Sequence, residues 1–259
     1  MRLLHIERKA PSDKSLSVSL CSKIGSDIPP YMILSHRWRE DEVLYSDLTN
    51  PDPSIAQSKQ GYKKLESSCE LAHRLGYQYA WLDTCCIDKS SSAELSETIN
   101  SMYRYYADSH ICFAYLDDVN HVDQVGELEA SVWFTRGWTL QELIAPKKMD
   151  FYAKDWTFIG TKNSLGLCER LATASGIPPH VFTDPSSIDC FSVSQKLSWA
   201  AGRETTREED ESYCLFGIFG VNLPPLYGEG RKNAFRRLQI EIMNNSPDHT
   251  IFAWHQTTP

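Results

Sequence analysis

YMILSHRWREDE, residues 31–42, runs apolar for four positions and then turns abruptly polar. A short apolar run bounded by turn residues reads as a buried strand. The hydroxyl, imidazole, guanidiniums and indole crowded at its end (Ser35, His36, Arg37, Trp38 and Arg39) read as one wall of a ligand site. The same grammar recurs along the chain. YQYAWLD, ICFAYLDDV and MDFYAKD are further strand-like runs, MRLLHIE opens the chain as another, and a polar loop follows it as far as SDIPP.

Helical patterns alternate with these runs. From Tyr62, Leu65, Cys69, Ala72 and Leu75 form a stripe at helical spacing, stopped at Gly76. A second helix begins at Ser91, whose spacing to Glu94 predicts a capping box, with Leu95, Ile99, Met102 and Tyr106 on its buried face. WFTRGWTLQELIAP predicts one helix stopped by Pro146. Strand–helix alternation implies an α/β fold: a mostly parallel sheet flanked by helices. After about residue 160 the pattern becomes largely helical, in SLGLCERLATASG, VSQKLSWAAGR and the stretch from Lys232. The expected division is a core over 1–160 and a helical extension over 161–259, packed together as one compact unit.

Composition narrows the function classes. The 259 residues carry a net charge of −8, the opposite of a nucleic-acid binder's basic footprint. Eight cysteines show no CxxC spacing and several sit in apolar runs, which predicts reduced thiols and no metal site. There is no apolar run of membrane-spanning length and no apolar leader. A soluble, cytoplasmic protein is expected.

Ligands of open α/β sheets bind beyond the carboxyl ends of the strands. That rule gathers Ser35–Trp38, then Asp83 to Asp88 with Cys86 among them, and Asp117 with Asp118. The following helix adds Arg136, Trp138, Gln141 and Glu142. Plainer readings stand beside each residue. The two tryptophans are more often core or rim, and His36 serves equally well as a backbone partner. Asp83 serves as a cap, Asp117 and Asp118 as solvated turn residues, and Glu142 on spacing alone as a surface carboxylate. The glycines of YGEGRKNAF do not make a phosphate loop, because no strand precedes them and the GxxxxGK[ST] pattern is missing.

YMILSHRW, GYQYAWLDTCCIDK, INSMYRYYADSHICFAYLDDV and WFTRGWTLQELIAP resemble the successive blocks of the fungal heterokaryon-incompatibility (HET) domain. The downstream stretch 192–243 resembles the segment that follows those blocks, so the likeness runs from about residue 1 to 255. The first block departs from the family's more usual serine-histidine-threonine-tryptophan-glycine through Arg37 and Arg39. The resemblance implies a role in fungal self/non-self recognition and regulated cell death. It also implies a TIR-like or flavodoxin-like core, through distant similarity to Toll/interleukin-1 receptor (TIR) domains, whose enzymatic members cleave NAD+ at the nicotinamide–ribose bond. Their catalytic glutamate lies in a Trp-x-x-x-Glu-Leu pattern, which here is WTLQEL and lands on Glu142.

The expected activity is therefore NAD+ glycohydrolase on oligomerisation, with Glu142 catalytic and NAD+ a substrate, no cofactor being required. Ser35, His36, Arg37, Trp38, Asp83, Cys86, Arg136 and Trp138 would bind the dinucleotide, with Arg39, Arg203 and Arg207 as further anion candidates. The expected partners are NAD+ or a related dinucleotide, other copies of the chain, and signalling modules of a longer protein. The alternative is a non-enzymatic module that kills by oligomerising and recruiting partners.

Overall fold

The computed structural model describes residues 1–8, 16–120 and 126–253. Part of the expected polar loop, 9–15, and the last residues of the expected extension, 254–259, lie outside the described residues. Seven strands form one sheet: β1 (Arg2–Glu7), β2 (Ser17–Ser22), β3 (Met32–His36), β4 (Tyr79–Trp81), β5 (Ile111–Tyr115), β6 (Met149–Tyr152) and β7 (Phe158–Thr161). Their order is β2-β1-β4-β3-β5-β6-β7. The four central strands run parallel, with Met32 opposite both Ala80 and Ile111, and Cys112 opposite Met149.

Antiparallel strands extend the sheet on both sides, so it is mixed around a parallel centre. β2 corrects the sequence reading, which had it inside the polar loop, and β7 is a strand to which that reading assigned no element. Val18 and Leu20 alternate with serines on an edge strand, too weak a signal to stand out, and β7 has only four residues. The central strands were legible because both their faces are covered: β3 is buried at every position.

Helices flank the sheet. α1 (Tyr62–Arg74) buries Leu65, Cys69 and Ala72, the stripe read from sequence. α2 (Ser92–Ala107) is capped by Ser91, whose hydroxyl accepts from the Glu94 amide. The reciprocal half of the expected capping box is missing. The Glu94 carboxylate instead accepts from the Asp88 amide and pairs with Arg2 at 2.5 Å, tying α2 to the start of β1. The expected continuous helix over 133–145 is also broken, into a 3-10 turn (Val132–Thr135) and a short helix, α3 (Thr139–Ile144).

Gly137 lies at that break. A Cβ there would meet the Thr205 methyl at 2.6 Å, so the glycine admits a downstream segment against it. That segment bonds in: Glu204 N–H donates to Thr135 and Gly137 N–H donates to Glu204. Beyond β7 the described elements are helical, including α4 (Leu165–Ser175), α5 (Val193–Ala200) and α6 (Arg231–Asn245). All eight cysteines are free thiols. Among the described residues no helix is long and apolar enough to cross a membrane.

Candidate functional site

β3 and β4 deliver their polar ends into one cleft, and α3 closes its floor. The cleft encloses about 340 Å³. His36, Arg37, Trp38, Asp83, Arg136, Trp138 and Glu142 all line it, seven of the nine residues singled out by sequence. Ser35 lies immediately behind. Its hydroxyl accepts from the Trp133 indole N–H at 2.9 Å and donates to Glu142 Oε2 at 2.5 Å, so a buried tryptophan orients the serine and the serine orients the carboxylate.

Glu142 is buried, with 6% of its surface exposed, and no cation pairs with it among the described residues. Burial pushes its carboxyl up to about 8; Asp83 adds to the rise, and the contacts with Ser35 and Tyr106 oppose it. Asp83 is also raised, chiefly by desolvation. It accepts from Trp38 Nε1 at 2.7 Å, which holds the indole against the cleft.

His36 is equally buried, and neither ring nitrogen has a hydrogen-bond partner. Burial, then Lys64 and Lys89, hold its imidazole well below the usual range, so it is neutral. Its 3.8 Å approach to Asp83 is therefore neither an ion pair nor a hydrogen bond. Unsatisfied ring nitrogens in a buried wall are costly unless a ligand or water meets them.

Several candidates depart from the expected site. Cys86 is buried with its sulfur accepting from the Leu82 amide, and it lines a separate groove beside Arg2, Glu94 and Tyr105. Arg39 is committed to Asp117 through both its Nε and its Nη2. Asp118 caps the 3-10 turn, accepting from Ser131 Oγ and the Val132 amide. These pairings leave neither residue facing the cleft, because the chain turns away immediately after β5. Arg203 reaches the Arg136 carbonyl, the Thr139 hydroxyl and the Trp199 carbonyl, and so braces α3 instead of facing ligand. Among the described residues the Arg37 guanidinium has no partner.

Sequence reasoning missed several lining residues. Thr206, next to the Arg207 already named as an anion candidate, and then Asp210 and Tyr227 complete the cleft from the downstream half, and Lys89 enters from the turn after β4. The bridge between Arg136 and Glu204 delivers the first two, and Thr206 Oγ1 accepts from Arg136 at 3.0 Å. Asp210 is raised by burial and accepts from the Tyr227 hydroxyl at 2.8 Å. Glu209 accepts from the Gly228 and Gly230 amides, so the glycine-rich turn spends its N–H groups on that carboxylate and presents Tyr227. No local signal ties these residues to Glu142; only the pairing across Gly137 does.

Residues 31–127 match the family described as heterokaryon incompatibility protein (HET). That match covers 97 of the 259 residues. Residues 233–259 match a domain of unknown function, DUF8212. Over 226 residues, 83% of this chain, it is 46% identical to the vegetative incompatibility protein HET-E-1 of Podospora anserina. The chain spans about a sixth of that relative, 16% of its length. No solved structure matches. Ser35 to Trp38 and Asp83 fall inside the matched HET segment, whereas Arg136, Trp138 and Glu142 follow it. The cleft is thus built from the HET segment and from residues beyond its end.

Proposed function

We propose that this chain is the effector segment of an incompatibility protein and that its cleft hydrolyses NAD+ at the nicotinamide–ribose bond. The observation that carries this reading is a floor of three buried carboxyls between aromatic walls. Glu142, Asp83 and Asp210 are all raised by burial, and Trp38, Trp138 and Tyr227 stand around them. Such a floor favours a ligand that brings its own positive charge, and indole walls favour a flat one. The pyridinium of NAD+ is both. A cavity of about 340 Å³ lies at the lower end of ligand pockets, roughly 300–1,000 Å³. It suits the nicotinamide–ribose end, with the pyrophosphate passing out over Arg37, Arg136 and Arg207. The stretch Trp138–Leu143 also resembles the glutamate-bearing helix of enzymatic TIR domains.

The chemistry follows from the carboxylate. Departure of nicotinamide takes the bonding pair to the ring nitrogen and leaves oxocarbenium character at the ribose carbon. Ionised Glu142 stabilises that charge, and a water adding to the same carbon gives up its proton to the carboxylate. The products are nicotinamide, ADP-ribose and a proton. Nicotinamide leaves uncharged, so no general acid is needed. Self-association belongs to this reading as the step that completes the site.

The test uses purified chain, both dilute and fused to an oligomerising partner, incubated with NAD+ and followed by chromatography. Nicotinamide release by the wild type and none by Glu142→Gln is expected. No release from either wild-type form, or undiminished release by Glu142→Gln, overturns the proposal.

A further inference from the structure

One cleft residue has no part in that reaction. Lys89 follows the turn after β4, and its ammonium lies 3.2 Å from the centroid of the Trp38 ring. Lys89 lines the cleft, yet it forms no ion pair with Asp83 or Glu142. It occupies the indole face instead, and that face is fixed in place by the Trp38–Asp83 hydrogen bond. A cation over an indole with carboxylates beyond it is how proteins bind positively charged rings. Here the lysine already fills that position.

We infer that Lys89 is an internal occupant of a cation site, and that a flat cationic ligand must displace it to stack on Trp38. Lys89 as a whole is an exposed residue on a flexible four-carbon stem, so its ammonium can swing into water when a ring arrives. Lys89 then sets a threshold for binding. It weakens the site for pyridinium-like rings and screens the acidic floor while the cleft is empty. The identity of the ring rests on the proposed NAD+ reading; the displacement itself does not.

Binding of two small probes tests this without turnover. 1-Methylnicotinamide is a pyridinium cation, and nicotinamide is its uncharged counterpart of nearly the same shape. Calorimetric titration of the purified chain is expected to show Lys89→Met binding 1-methylnicotinamide about tenfold tighter than wild type, the scale of one desolvated cation–π contact. Nicotinamide should change less than about twofold on the same scale. Lys89→Arg keeps a cation over the indole and should stay within about twofold of wild type for both probes. Equal or weaker binding of the cation by Lys89→Met overturns the inference, and so does an equal gain for both probes. Because the readout is affinity, failure here leaves nicotinamide release by wild type intact, and absence of release leaves this result standing.

Discussion

At Glu142 the fold holds a carboxyl where its charge is least welcome, and that choice links the proposed activity to stability through one titration. In the empty cleft the group titrates near 8, so at pH 6 most molecules carry it protonated and unable to stabilise an oxocarbenium ion. kcat/KM for nicotinamide release is expected to rise with pH and level off above about 8. Ser35 opposes the rise, so Ser35→Ala should move the midpoint upward by about one unit, the scale of a hydrogen bond to a charged group. A profile that stays put separates Ser35 from the ionisation. Stability runs the other way. Unfolded, Glu142 titrates near 4.5, so between pH 4.5 and 8 the folded chain retains a proton that the unfolded chain has lost. The stability carried by this group is whole below 4.5 and gone as pH passes 8. Glu142→Gln, which does not titrate, should therefore gain several degrees in Tm over wild type on going from pH 5 to pH 8.5, since each unit of displacement is worth about 1.4 kcal/mol. Scanning fluorimetry at the two pH values decides it.

The helix that carries Glu142 is only six residues long, too short to hold itself. It is anchored at its carboxyl end by Lys162, which is almost wholly buried and donates to the carbonyls of Leu143, Ile144 and Pro146. Those carbonyls have no intrahelical donor of their own. Replacing the ammonium by a methyl, Lys162→Met, should cost about 2–4 kcal/mol by leaving them unpaired, readable in urea unfolding at pH 7. Burial also depresses Lys162 to about 8, so above that pH the unfolded chain binds the extra proton and wild-type stability rises toward 10.5. The gap between wild type and Lys162→Met is expected to widen over that range. None of this was legible beforehand, since a lone lysine in GTKNS reads as a solvated turn residue. The legible elements were those with apolar runs, period or capping signals of their own: β1, β3 to β6, α1, α2 and the downstream α4 to α6. The break at Gly137 was invisible because its cause, Thr205, lies 68 residues downstream.

Across the whole molecule the cleft is shared property. The strand ends supply His36, Trp38 and Asp83, positions that the rule of parallel sheets located from sequence. The downstream half supplies Arg207, Asp210 and Tyr227, which only the folded chain brings near. The two contributions depend on how closely α2 meets the short helix Phe216–Phe219. At their contact, Gly217 faces Tyr103, and an added Cβ would fall 2.0 Å from the tyrosine Cβ. Tyr103 cannot yield by rotating, because the clash is with the root of its side chain. Gly217→Ala must therefore push the two helices apart. α2 lines the cleft with Thr98, Ile99 and Met102, while the short helix Asp210–Tyr213, just before Phe216–Phe219, bears Asp210, so the gap opens at the site itself. Overpacking of this kind costs about 1–3 kcal/mol. The expected result is a folded protein with a lower Tm whose affinity for 1-methylnicotinamide falls together with it. Undiminished affinity in a destabilised Gly217→Ala protein would mean that the strand ends alone make the ligand site, and that the downstream half merely covers it.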